Sequence, residues 1–193
     1  MKVAIIKYNA GNIRSVAFAL ERLGVEPIIT DNFDTIRKAE KVIFPGVGEA
    51  STTMNYLKNK GLDELIASLQ QPVLGICLGM QLLCQHSEEG DTPCLGIFRL
   101  PVKKFEVDLK IPHMGWNSLV NTKGPLVDAT LENQFVYFVH SYYIPLGPET
   151  IAASNYEIAF SAAIRKDNFF ATQFHPEKSG KIGVRILQNF LKI

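Results

Sequence analysis

Cys77 lies in Gly75-Ile76-Cys77-Leu78-Gly79, directly after the apolar pair Val73-Leu74, and a His175-Pro176-Glu177 triplet follows far downstream. A thiol, a base and a carboxylate able to steer that base are the working parts of a thiol hydrolase. A cysteine on a tight strand-to-helix turn needs neighbours that tolerate unusual backbone, and Gly75 and Gly79 are expected to supply that freedom. The turn is expected to project the sulfur into solvent at a helix N-terminus, whose dipole and free N–H groups favour the attacking thiolate. Residues two apart on an extended segment share a side, so His175 and Glu177 are expected to meet that way. Pro176 helps by fixing its own φ and pushing His175 towards extended backbone. Glu177 then holds one imidazole nitrogen while the other faces the sulfur.

Each part alone has a plainer use. Cys77 could be a small buried apolar residue, His175 a hydrogen-bonded structural histidine, and Glu177 a solvated charge. Pro45-Gly46-Val47-Gly48 could be a simple turn, and it lacks both the Lys-Ser/Thr ending of a P-loop and the full dinucleotide fingerprint. Beside a thiol nucleophile its two glycines suit a different task, a backbone free to aim an N–H at a developing oxyanion. A second N–H comes from Leu78, just after the nucleophile. The joint occurrence and spacing of these parts lift them above the plainer uses.

The elements that must position them read as alternating strands and helices. Val3–Ile6 is a short apolar strand; Ile13, Val16, Leu20 and Leu23 recur at helical spacing until Gly24. Pro27–Thr30, Lys41–Phe44 and Val73–Ile76 supply further strands, with helical patterns over 51–59 and 62–70. This alternation predicts a parallel sheet buried on both faces, with ligands at the carboxyl ends of its strands. Cys77 and the Pro45–Gly48 loop both fall there. From about residue 96 the texture changes to strand-like pieces, Phe98–Leu100, Phe135–Val139 and Phe169–Thr172, predicting antiparallel or mixed sheet. Lys181–Leu191 closes as a helix with Ile182, Ile186, Leu187 and Phe190 on one side. No repeat or linker interrupts the chain, so residues 1–193 are expected to form a single α/β domain.

The bulk numbers narrow the classes. Twenty basic against nineteen acidic residues give a net charge of +1, and no Lys/Arg block marks a surface for nucleic acid or anionic lipid. The N-terminal apolar run breaks at Lys7, too short for a signal peptide, and nothing approaches spanning length; a cytoplasmic protein is expected. Cys77, Cys84 and Cys94 are an odd set without metal-like spacing, which disfavours a disulfide framework and points to no metal and no cofactor. Cys84 reads as a small buried apolar residue.

Pro45-Gly46-Val47-Gly48, Gly75-Ile76-Cys77-Leu78-Gly79-Met80-Gln81 and Gln173-Phe174-His175-Pro176-Glu177 together resemble the three signatures of class I, triad-type glutamine amidotransferases. Tyr8-Asn9-Ala10-Gly11-Asn12, Pro112-His113-Met114-Gly115-Trp116-Asn117 and His140-Ser141-Tyr142 resemble the branch whose glutaminase subunit serves histidine biosynthesis. The resemblance implies a flavodoxin-like α/β fold: one open, mixed but mostly parallel twisted sheet flanked by helices, with an additional antiparallel portion in the C-terminal half. It also implies hydrolysis of L-glutamine to glutamate and ammonia, and a heterodimer with a (β/α)8-barrel synthase that receives the ammonia. By motif, Cys77 is the nucleophile, His175 the acid and base, and Glu177 its orienter. Val47 and Leu78 furnish oxyanion N–H groups, and Gly46 and Gly48 permit a peptide flip that switches the site on. Gln81, Glu89, Ser141 and Tyr142 match positions that hold glutamine, and Asn12, Trp116, Tyr137 and Lys178 match positions facing the partner.

Two other enzymes fit the triad: a glutaminase subunit of another amidotransferase pathway, and a self-sufficient thiol hydrolase active alone on larger substrates. A non-catalytic scaffold fits least, since it has no use for Cys77, His175 and Glu177 together.

Overall fold

The computed structural model describes residues 1–8 and 11–193; Asn9 and Ala10, within the Tyr8–Asn12 motif, lie outside the described residues. In chain order the elements begin with β1 (Val3–Ile6), α1 (Ile13–Glu21), β2 (Ile28–Thr30), α2 (Phe33–Lys38) and β3 (Lys41–Gly46). Next come α3 (Ala50–Lys60), α4 (Leu62–Ser68), β4 (Val73–Cys77), α5 (Leu78–Leu82), β5 (His86–Ser87), β6 (Thr92–Pro93) and β7 (Pro101–Lys104). The C-terminal part holds β8 (His113–Ser118), β9 (Phe135–His140), β10 (Tyr142–Tyr143), β11 (Thr150–Tyr156), β12 (Ile158–Lys166), β13 (Phe169–Thr172) and α6 (Gly180–Lys192).

Seven strands form the main sheet, ordered β11-β12-β13-β4-β3-β1-β2. The five from β13 to β2 are parallel, and β12 and β11 add an antiparallel edge. Counted along the chain, the parallel strands follow the doubly-wound 2-1-3-4-5 order, in which ligands gather outside the carboxyl ends of the strands. The expected mixed, mostly parallel α/β fold is thus the observed one. A four-stranded sheet (β10-β7-β5-β6) and the antiparallel β8–β9 ribbon sit beside it.

Period-two alternation explains why the central strands read as unbroken apolar runs. Val3 and Ile5 pack into one hydrophobic layer with α1 and α6, while Ala4 and Ile6 pack into the other with α3 and α4. Each fully buried Ile or Leu there contributes roughly 1.5–3 kcal/mol. On α1, Ile13, Val16, Ala17 and Leu20 make the buried stripe, and Gly24, at φ 77°, lies in the turn beyond it.

Two readings change. Phe98–Leu100 is not a strand; Phe98 is a fully buried plug from a loop, and the strand begins at Pro101, a position that needs no N–H donor. Helix α2 was not anticipated, because only Ile36 is buried and the apolar period is absent. Its signal is the Asn32 cap, whose side chain accepts from the Thr35 N–H.

Candidate active site

Cys77 ends β4 and caps α5 with φ 53° and ψ −108°, a conformation that costs a non-glycine residue about 1–3 kcal/mol and persists only where the surroundings enforce it. The strain sits on Cys77 itself, so the expected role of the flanking glycines is corrected: neither Gly75 nor Gly79 has positive φ. They are needed for space. A Cβ on Gly79 would fall on the Phe44 carbonyl of β3, and one on Gly75 would lie 2.7 Å from Leu83 Cδ1. The neighbouring strand clamps the turn at this close approach.

The sulfur does not project into open solvent. Cys77 is only 7% exposed, and its Sγ lies 3.8 Å from both the Val139 carbonyl oxygen and Gln173 Nε2. It faces a cavity of about 320 Å³ that Val47, Gly48, Leu78, Gln81, Glu89 and Tyr142 also line. Shelter from bulk water of this kind strengthens every polar contact made at the thiol.

His175 follows β13 in extended backbone (φ −100°, ψ 98°), but Pro176–Lys178 is a 3-10 turn. Glu177 therefore meets the imidazole by curling back, not by strand alternation. Its Oε1 lies 2.7 Å from His175 Nδ1. A carboxylate can only accept, so Nδ1 carries the hydrogen and Nε2 is left for the reacting centre. Asn12 Nδ2 donates to the same Glu177 oxygen. Its 3.3 Å approach to His175 Nδ1 sets two donors side by side and is a close contact only. The backbone is fixed in the same way: His175 N–H donates to the Tyr137 carbonyl at 3.0 Å, and Ser179 Oγ donates to the His175 carbonyl at 2.7 Å. Gly183 of α6 packs so tightly on the Pro176 carbonyl that no side chain fits between them.

Burial of His175 opposes its charge, yet the adjacent Cys77 and Glu177 outweigh burial and raise its pKa to about 10. Among the described residues Nε2 has no well-aligned hydrogen-bond partner, and hydrogen bonding and charge from the nearby Cys77 sulfur lead the influences that raise the pKa. A histidine whose folded pKa is raised stabilises the fold fully below its unfolded value, about 6.5. That contribution is lost as pH rises through about 10. Removing the thiol in Cys77→Ala should flatten the decline of melting temperature between these pH values. An alkaline limb identical to wild type would show that the sulfur does not support the imidazolium.

The remaining positions form a cavity set and a surface cluster, with Gly46 and Asn12 outside both. Val47, Gly48, Leu78, Gln81, Glu89, Ser141 and Tyr142 share the cavity with Cys77. Gly46 does not line it; a Cβ there would come within 2.5 Å of the Tyr8 hydroxyl, which donates to the Pro45 carbonyl and pins the loop. Gly48, at φ 131°, occupies backbone that only glycine adopts without strain. Gln81 is buried and already occupied, its Nε2 donating to the Tyr142 carbonyl (3.1 Å) and to Gln173 Oε1 (3.0 Å). Glu89 Oε2 accepts from the Ala50 N–H, and burial raises its pKa.

Trp116, Tyr137 and Lys178 form one surface cluster. The two rings meet edge to face at 6.1 Å, and Lys178 Nζ lies 5.9 Å from the Tyr137 ring centre. Asn12 instead contacts the His175–Glu177 pair. The sequence reading missed Met114 and Phe135, which together with Trp116 are more than half exposed on the outer face of the β8–β9 ribbon. Alternation along 113–118 and 135–140 carried that signal. It also missed Gln173 beside the sulfur and the orienting contact of Asn12. Gln173 lies inside the Gln-Phe-His-Pro-Glu segment, but nothing in sequence shows that its side chain turns towards Cys77.

The glutamine amidotransferase class-I family matches residues 4–193. Imidazole glycerol phosphate synthase subunit HisH of Bacteroides thetaiotaomicron is 60% identical across the full length of both chains. The subunit of that name from Pectobacterium atrosepticum is 46% identical, also across both full lengths. Among solved structures, a glutamine amidotransferase superposes with a TM-score of 0.77 at 20% identity, covering 98% of this chain and 97% of its own. A putative GMP synthase subunit from Thermoplasma acidophilum superposes with a TM-score of 0.74, also at 20% identity, covering 100% and 92%. At that identity the two structures speak for the fold.

Proposed function

From the premise that this chain belongs to the class-I glutamine amidotransferases, and among them to the HisH subunits of imidazole glycerol phosphate synthase, we propose that Cys77, His175 and Glu177 perform its glutaminase reaction. The thiolate of Cys77 attacks the side-chain amide carbon of glutamine, forming a C–S bond and a tetrahedral oxyanion. N–H groups of Val47 and Leu78 receive that charge. Collapse breaks the C–N bond as His175 Nε2 gives its proton to the leaving nitrogen, so ammonia departs and a thioester remains. The neutral imidazole then takes a proton from water, the hydroxyl attacks the thioester, and glutamate leaves as the thiolate and imidazolium are restored. Glu177 keeps Nδ1 protonated throughout, with Asn12 holding the carboxylate in place. Ser141, Tyr142 and Glu89 hold the substrate, and Gln81 fixes the Tyr142 carbonyl beside it.

One observation carries the reading: the strained Cys77 opens on a cavity large enough for a small ligand, and its sulfur acts on the ring of the buried His175–Glu177 pair. The ammonia goes to a (β/α)8-barrel synthase subunit that makes imidazole glycerol phosphate and AICAR, in a heterodimer. The exposed Met114, Trp116 and Phe135, with Tyr137 and Lys178, supply an apolar, aromatic face for that partner. The ribbon bearing them also places Val139 at the cavity, so docking covers the rim of the site.

The test measures glutamate release by the chain alone and with the barrel synthase. Binding of the synthase should accelerate hydrolysis about ten-fold or more, as expected where the competent state is a minor one in the free subunit. A free chain as fast as the complex would indicate a self-sufficient hydrolase.

A further inference from the structure

Two histidines outside the triad join the partner-facing ribbon to the nucleophile. His113 and His140 pair across β8 and β9, with His113 Nδ1 2.9 Å from His140 Nε2. His140 Nδ1 lies 2.8 Å from the Tyr142 carbonyl oxygen, and Asn117 Nδ2 lies 3.3 Å from His113 Nε2. Donor and acceptor chemistry permits one arrangement. A carbonyl only accepts, so His140 carries its hydrogen on Nδ1 and accepts at Nε2. His113 must then donate from Nδ1 and accept at Nε2, where Asn117 supplies the hydrogen. Asn117 is itself oriented, since its Nδ2 also donates to the Asn155 carbonyl and its Oδ1 accepts the Ser118 N–H.

The path continues to the sulfur. The Tyr142 carbonyl also accepts from Gln81 Nε2, which donates on to Gln173 Oε1, and Gln173 Nε2 faces Cys77 Sγ. Both lone pairs of one carbonyl on the substrate-lining strand are therefore engaged, one towards the histidines and one towards the elbow. Packing keeps the rings from turning: His113 is stacked between Tyr156 and Phe138, and His140 lies against Phe105 and Phe160. Burial lowers the pKa of His113 to about 4 and that of His140 to about 3, consistent with two neutral rings.

We propose that His113 and His140 are positioning residues for glutamine, whose directed hydrogen-bond path sets the Ser141–Tyr142 segment at a fixed place relative to Cys77. This rests on the reading of the cavity as the glutamine site. The histidines donate no proton to substrate; they decide where the substrate is held.

Nitrogen-15 NMR of histidine-labelled wild-type chain at neutral pH should find both rings neutral with the hydrogen on Nδ1. The other tautomer, or a charged ring, at either residue overturns the proposal. In the complex with the synthase, His140→Leu should raise the KM for glutamine about ten-fold while kcat stays within about three-fold, the signature of one lost positioning hydrogen bond. His140→Asn, whose amide nitrogen can occupy the place of Nδ1, should recover most of that loss. Equal loss in both variants, or a fall in kcat at unchanged KM, contradicts it. Failure of the underlying reading shows differently: the wild-type complex then releases no glutamate, whatever its tautomers.

Discussion

Cys77→Ala should lower glutamine-dependent turnover of the complex by on the order of 10⁴-fold or more, because nucleophile, base and orienter act as a unit and removing the nucleophile removes the covalent route. Synthesis from added ammonia should persist in the same complex, since the substitution deletes one buried sulfur and leaves the path beyond it intact. The elbow keeps its conformational demand, as alanine at φ 53° is no less strained than cysteine. The two assays together therefore separate lost chemistry from lost structure. Continued glutamine consumption by the variant would dismiss Cys77 as the attacking group, and loss of both activities would mean that the change disturbs assembly.

The second large effect concerns stability. Gly79→Ala should cost about 3 kcal/mol or more, at the upper end of overpacking, because its Cβ would meet the Phe44 carbonyl and not a side chain that could swing away. Phe44 is fully buried in β3, between β4 and β1, so neither partner in the collision can retreat. For a chain of this size that corresponds to a fall of roughly 6–12 °C in melting temperature. Gly75→Ala provides the comparison: its nearest obstacle is the tip of Leu83, which can rotate, and the loss should be smaller. Equal stability of Gly79→Ala and wild type in urea would mean that β3 and α5 are not in contact at this point.

The parallel half of the sheet was legible because β1, β3 and β4 are buried on both faces and read as apolar runs bounded by turn residues. The proposed triad could be picked out because its residue types are concentrated in short segments, one around Cys77 and one around His175. What escaped was whatever depends on contacts between distant segments. Asn12 lies far from Glu177 along the chain, and its amide reaches the carboxylate only once α1 packs against the His175 turn. The reason for Gly79 was misread for the same cause: sequence marks a glycine without saying whether backbone freedom or the carbonyl of another strand requires it. His113 and His140 were visible as residues, but their pairing depends on the β8–β9 register. The extended reading of His175–Glu177 failed because Pro176 restricts only its own φ and the residue before it, leaving the following turn free to tighten.

The neighbouring places of β4 and β13 in the sheet have a consequence for synthesis on the ribosome. Thr172 pairs with Ile76, so the strand that leads to the imidazole docks directly beside the strand that ends in the thiol, although the intervening chain forms most of the C-terminal half. Closure of so long a loop comes late in folding. A nascent or truncated chain that ends before β13 would thus carry Cys77 without the imidazole of His175 that the finished sheet sets near it.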